Sequence, residues 1–270
     1  MLAPPLGASP EAPWTFEPVV IFMLVTATVI YVRRWHAVRA SPGRLISFLL
    51  GILCFAAALL SPIDALAEQL FTMHMVQHVL LIDIGVVLIL LSLTRVILRP
   101  ITKRTMRLEE AAGPLAHPVF ALVVYVAVMW IWHIPALYDA ALEHPLLHRF
   151  EHITFITAGF MYWWHILNPI PSRKRLGGMG PVVYMASTKV LVGLLGVALA
   201  FAPEALYAFY EEQPSYWGMD AHTDQSVAGL VMATEQSIIM GIALVFLFLK
   251  ALDDSEREEQ RRERYGADAV

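Results

Sequence analysis

Seven long apolar stretches restrict what this sequence can fold into. They centre on residues 18–32, 45–62, 70–94, 118–134, 146–168, 182–202 and 226–249. Crossing a hydrocarbon core of about 30 Å takes roughly 20 apolar residues in a helix. Strands of a membrane barrel would alternate polar and apolar residues over about ten positions, whereas these runs are continuous. The sequence therefore predicts an all-α integral membrane protein, a bundle of seven transmembrane helices.

The composition agrees with a membrane protein. Hydrophobic residues make up 58% of the 270 positions and charged residues only 16%, where about a quarter is usual. The single cysteine, Cys54, excludes an intrachain disulfide and a paired-cysteine metal or redox motif. We divide the chain into an extracytoplasmic amino-terminal arm (1–17), the transmembrane domain (18–250) and a charged cytoplasmic tail (251–270).

The distribution of basic residues predicts the orientation. Lysine and arginine gather in the connections at 33–44, 95–107 and 173–175 and in the tail, while the alternate connections contain few of them. Basic residues accumulate in short cytoplasmic loops. We therefore expect the amino terminus outside and the carboxyl terminus in the cytoplasm.

Histidines concentrate at one predicted depth. Ten histidines placed at random would give about 0.4 HxxxH pairs, a spacing that puts both rings on one helix face, and the sequence has three. The pairs are His74 with His78, His144 with His148, and His148 with His152. With His133 at the end of the fourth stretch, they fall toward the outer leaflet. Ionisable groups buried in lipid are costly and usually functional, so a shared metal site at His74, His78, His133, His148 and His152 is predicted. The alternative is that each is an ordinary interfacial histidine.

The ligand types favour copper. Neutral imidazole suits zinc, copper and iron, and thioethers shift the preference toward Cu(I). Met73, Met75 and Met219 flank the histidines, although each is better explained by packing against lipid or a neighbouring helix. We predict copper, as Cu(I), with zinc as the alternative.

Further polar residues are candidates for additional or supporting roles. A metal-bound histidine commonly donates its second N–H to a carboxylate or carbonyl. The candidates near the predicted site are Gln77, Asp139, Glu151 and His222. Glu235 has three interpretations: ligand, proton acceptor, or partner of a buried imidazole.

Two further features are assigned structural roles. Asp83 and Lys189 both fall about 10 Å from the cytoplasmic boundary, and buried charges at matching depth should pair, so we predict an ion pair. The aromatic loop is interpreted as an interfacial belt, and the alternatives are a cap over the site or a contact with a partner. Its aromatic residues are Tyr207, Phe209, Tyr210, Tyr216 and Trp217.

Four sequence blocks resemble a known family. "HMVQHVLL", "IWHIPALYDAAL", "LHRFEHITFITAGFMYWWHIL" and "DQSVAGLVM" are similar to signature blocks of the CtaG family of multispanning bacterial cytochrome c oxidase assembly factors, over about residues 45–250. The resemblance implies a seven-helix, multi-pass protein of the bacterial plasma membrane that helps supply copper to the CuB centre of the oxidase catalytic subunit. Through these blocks the family histidines correspond to His74, His78, His133, His148 and His152. His165 departs from the family pattern, and no family position is assigned to His222 or Asp220.

The same residues are compatible with other functional classes. An intramembrane zinc hydrolase would use three histidines, an activated water and Glu151 or Glu235 as the acid/base. A haem carrier would use histidines as axial ligands, and a scaffold would bind no ion. We predict a metallochaperone or assembly factor that is not an enzyme. Its expected partners are the lipid bilayer, the oxidase catalytic subunit and an extracytoplasmic copper chaperone, with no nucleic acid.

Overall fold

The computed structural model describes residues 8–170, 172, 174 and 176–266; residues 1–7 of the predicted arm and 267–270 of the predicted tail lie outside it. The described chain is helical. Its helices are α1 (Pro18–Val38), α2 (Pro42–Leu60), α3 (Pro62–Ala67), α4 (Phe71–Val79), α5 (Gly85–Ser92), α6 (Arg95–Ala112), α7 (Pro118–Trp132), α8 (Pro135–Glu143), α9 (Pro145–Leu167), α10 (Gly180–Ala200), α11 (Ala208–Glu211) and α12 (Ala221–Gly266). All seven predicted apolar stretches coincide with helices.

Four helical segments in the described chain are long and apolar enough to cross a membrane: α1, α2, Phe71–Ser92 and α10. A fifth arises if Arg95–Ala116 and Pro118–Trp132, bent by 67°, form one span. α7 has only 15 residues, because Pro135 begins a new helix shortly after it. The predicted count of seven spans and the orientation of the termini stay predictions.

Proline sets where many of the helices begin. Its fixed φ angle suits the first helical position, where the missing N–H would have no partner within the helix. α1, α2, α3, α7, α8 and α9 all begin at a proline. The helix boundaries around the site are therefore encoded locally in the sequence.

α4 and α5 are joined by a π-helical segment, Leu80–Ile84, which makes Phe71–Ser92 one helix with a local bulge. α9 crosses this segment at Gly159. A Cβ added at Gly159 would lie 2.4 Å from the Ile82 carbonyl oxygen, far closer than van der Waals contact allows. The glycine thus permits direct contact between the backbones of the two helices.

The first turn of α12 holds the start of α4. The Asp224 carboxylate accepts hydrogen bonds from the backbone N–H groups of Phe71 (2.6 Å) and Thr72 (3.1 Å). Helix amino termini leave such N–H groups without partners in the helix. The next residue, Gln225, accepts from the Leu206 N–H at 2.7 Å. This Asp-Gln pair therefore positions both α4 and the loop before α11.

The structure corrects the predicted Asp83–Lys189 pair. Asp83 instead accepts hydrogen bonds from the Trp163 indole N–H (2.8 Å) and the Tyr125 hydroxyl (3.0 Å). Lys189 lies beside Gly241 of α12, and the ion pairs of the described residues do not join it to Asp83. Equal depth in a bundle fixes only one coordinate, and the two side chains point in different directions around their helices.

Candidate metal centre

Four histidines and a glutamate meet between α4 and α9. His74 and His78 lie one turn apart on α4, and their Nε2 atoms are 2.9 Å apart. The α9 rings face them: the ring centroids of His74 and His148 are 5.1 Å apart, and those of His78 and His152 are 5.6 Å apart. Glu151 lies between the two α9 histidines, so we call these five residues the His–Glu cluster.

The His–Glu cluster contains two overlapping sets of three ligands. One donor atom each from His74, His78 and His152 lie within 4.8 Å of one another. The same holds for His74, His148 and Glu151. Both sets fit the coordination of one metal ion, and His74 belongs to both.

Unpartnered polar atoms support a metal at this position. Both Glu151 oxygens, Nε2 of His148, Nε2 of His152 and Nδ1 of His78 are buried without a hydrogen-bond partner. Such atoms are rare in folded proteins. The Glu151 carboxylate has no exposed surface and lies 3.8 Å from His78 Nε2 and 3.9 Å from His74 Nε2. A buried carboxylate is stabilised by a nearby positive charge or by a proton, and a cation among these atoms would satisfy the carboxylate and the imidazoles together.

Tyr210 of α11 determines which nitrogen of His74 is available. The Tyr210 hydroxyl donates its only proton to the Ala67 carbonyl oxygen at 2.7 Å. Burial raises the pKa of this hydroxyl well above its usual value of 10.0, so the proton is retained. His74 Nδ1, 3.1 Å from the hydroxyl, must therefore donate to it. The His74 Nε2 lone pair is then directed into the cluster.

Replacing Tyr210 with phenylalanine is expected to lower metal affinity by about 10- to 100-fold, the usual effect of losing a group that orients a ligand. The aromatic ring would remain, but the hydroxyl that accepts the His74 Nδ1 proton, and so keeps Nε2 free to bind metal, would be lost. Competition with a chromogenic chelator measures the affinity. Tyr216→Phe, in the same loop and outside the cluster, is the control, and equal affinities in the two variants would contradict the role of Tyr210.

His133 lies apart from both ligand sets. Its Nδ1–H donates to the Met129 carbonyl oxygen at 2.6 Å, and its Nε2 is buried without a partner. The ring lines a cavity with His78, Met75 and Glu235. Of the five histidines predicted to surround one ion, four meet in the cluster, and His133 faces this neighbouring cavity.

Several predicted supporting residues have other contacts. Gln77 donates to the Ala58 carbonyl (2.7 Å) and to Asp64 (2.8 Å), and so joins α4 to α2 and α3. Asp139 accepts from the backbone N–H groups of Ala208 and Phe209 and so holds the start of α11.

The predicted candidate His222 is exposed, and its Nε2 lies 2.9 Å from the Ala202 carbonyl oxygen. Proximity in sequence did not predict which face each side chain occupies. Met73 is partly buried on α4.

The aromatic loop contributes directly to the site. Tyr207 and Tyr210 are 1% and 4% exposed, and Tyr207 donates to the His133 carbonyl oxygen at 3.2 Å. The belt interpretation is therefore wrong for these two residues, although it suits Trp217, which is 56% exposed. Tyr207 and Tyr210 are three residues apart, a spacing that places both on one side of a helical turn. This spacing is the sequence signal that separates them from the exposed aromatic residues of the loop. Tyr138 of α8, not singled out from the sequence, packs its ring against His74 at 5.1 Å.

Fold and site together define a helical membrane protein with a buried histidine–carboxylate cluster. The chain belongs to the family of cytochrome c oxidase caa3 assembly factors (Caa3_CtaG), which matches residues 22–254. This confirms the resemblance inferred from the four sequence blocks and makes oxidase assembly the family's role.

Two curated relatives extend over most of the chain. Uncharacterized protein ML1998 of Mycobacterium leprae is 23% identical over 93% of this chain and 41% of its own length. Uncharacterized protein Mb0105 of Mycobacterium bovis is 25% identical over 97% of this chain and 43% of its own length. The chain thus spans less than half the length of these relatives. No solved structure matches it.

Proposed function

We propose that this protein binds copper at the His–Glu cluster and passes it to the CuB centre of the catalytic subunit of a haem-copper oxidase. The observation that carries the proposal is the convergence of four imidazoles and a carboxylate, with unpartnered donor atoms, inside a member of an oxidase assembly family. Copper is cargo here rather than a resident cofactor, and no reaction is catalysed.

The overlapping ligand sets suit transfer of an ion. An ion held by His74, His78 and His152 can exchange ligands for His148 and Glu151 while remaining bound to His74. Stepwise exchange avoids a state in which the buried ion has no ligands, which would be very costly. Cu(I) matches imidazole ligands and keeps its oxidation state during transfer.

We also propose the surroundings in which the transfer occurs. The protein would span the bacterial plasma membrane seven times, amino terminus outside, with α9 and α12 among the spans. The start of α4 and the start of α9 then lie toward the outer face. An extracytoplasmic copper chaperone would supply the ion, and the oxidase catalytic subunit would receive it.

The test is the metal content of protein purified in mild detergent under reducing conditions, measured by mass spectrometry. Wild type is expected to contain near-stoichiometric copper, and His74→Ala and His152→Ala are each expected to lose most of it. His144→Ala is the matched control, because His144 is exposed and lies immediately before α9, four residues before His148. It should retain copper.

Other outcomes would identify the alternatives. Zinc in place of copper, lost in the same variants, would favour the hydrolase with Glu151 beside the metal. A Soret absorption band would indicate haem. Wild type without any metal would contradict the proposal and leave a scaffold for oxidase assembly.

A further inference from the structure

A second group of metal-ligand side chains lies next to the His–Glu cluster. Three methionines from three helices, Met75 of α4, Met129 of α7 and Met232 of α12, line one cavity. All three are buried, with 1%, 5% and 6% of their surfaces exposed. The space open to the centre of a water-sized sphere is about 20 Å³, enough for one water molecule or one ion.

Two histidines line the same cavity. His133 is 6% exposed, and because its Nδ1–H donates to the Met129 carbonyl, its unpartnered Nε2 carries a lone pair. His78 places Nε2 beside His74 in the cluster, while its Nδ1 is buried without a partner. His78 therefore lies between the two groups and can offer one nitrogen to each.

The charge of the cavity suits a cation. Asp83 and Glu235 contribute to its lining. A cation held by neutral thioethers and imidazoles in a low-dielectric interior needs a nearby negative charge. Thioether sulfur is a soft ligand that selects Cu(I) over hard or borderline divalent ions.

We propose that this cavity, lined by Met75, Met129, Met232, His78 and His133, is a second binding position for a soft monovalent ion. It extends the proposed copper function, on which it rests, by giving the ion a place to move from the His–Glu cluster through His78. The cluster would take up copper with borderline ligands, and the cavity would retain it as Cu(I) deeper between α4, α7 and α12.

The experiment first disables the cluster. In a His148→Ala/His152→Ala background, Ag(I) and Cu(I) are added anaerobically as probes, with chelator competition for affinity and X-ray absorption for ligand type. Neither of the two substituted positions, 148 and 152, lines the cavity. As purified, the background is expected to contain little copper, because uptake begins at the cluster. Once the probe ion is added, it is expected to bind about one ion per chain with sulfur in its ligand shell. Adding Met129→Leu and Met232→Leu, which preserve volume, should weaken binding by about 100-fold or more, because losing even one supporting group costs about 10- to 100-fold. The sulfur signal should fall to the contribution of Met75.

Met73→Leu is the matched control, since Met73 lies on the same helix as Met75 but does not line the cavity. Thermal unfolding of each variant verifies that it is folded. Absence of sulfur ligation in the background, or unchanged affinity after both leucine substitutions, would overturn the second position. Failure of the proposed function is separate, because it is read from the metal content of His74→Ala and His152→Ala in the otherwise native chain.

Discussion

Glu151→Gln is expected to lower the affinity for copper by roughly 100-fold or more, since breaking a buried charge pair costs about 3–5 kcal/mol. Glutamine keeps the size of the side chain but removes the negative charge that lies 3.8 and 3.9 Å from two imidazole nitrogens. Glu151 has no exposed surface, so water cannot replace the lost charge. Chelator competition under reducing conditions measures the change.

In the metal-free protein, the same substitution should not destabilise the fold. Without a cation, the Glu151 oxygens have no hydrogen-bond partner, and a neutral amide is less costly to bury than a carboxylate. Metal-free Glu151→Gln is therefore expected to unfold at a temperature no lower than metal-free wild type. Glu143→Gln, at the exposed end of α8, is the control. Equal copper affinity in Glu151→Gln and wild type would exclude Glu151 as a ligand.

Gly159→Ala is expected to destabilise the fold by about 1–3 kcal/mol or more, the usual cost of overpacking a close contact. The new Cβ would meet the Ile82 carbonyl oxygen at 2.4 Å and the Ile82 carbonyl carbon at 3.2 Å. Both are backbone atoms, so a rotamer change cannot relieve the overlap. Normal contact distances would require α9 and the π segment to separate by about 1 Å.

That separation should also disrupt the metal site. Gly159 lies two turns beyond His152 on α9, and Ile82 one turn beyond His78. Ligands must be held within about 0.5 Å of the productive geometry, so affinity is expected to fall together with stability. Thermal unfolding and chelator competition measure the two effects. The control is Gly193→Ala on α10, where nothing lies within 4 Å of the added atom; an equally stable Gly159→Ala would show that the helices do not meet as described.

Much of the candidate site could be predicted from the sequence because its pattern is local. Spacing of four puts His74 with His78, and His148 with His152, on single helix faces. In the structure the rings of each pair contact each other, and the two pairs face each other. Proline at the first helical position marks the start of α9, and hence the position of its histidines. The helical class follows from continuous apolar runs, which can be recognised in the sequence without knowing which segments pack together.

What only the tertiary structure decided is direction around each helix. Depth along the chain placed Asp83 opposite Lys189 and His133 in the cluster, but Asp83 faces Tyr125 and Trp163, and His133 faces the methionine cavity. The π segment in Phe71–Ser92 and the contact at Gly159 set how α4 and α9 face each other. The sequence by itself therefore determined the helices and the paired histidines. Packing determined that Glu151 and Tyr210 join them, because these contacts connect elements that are distant in the chain.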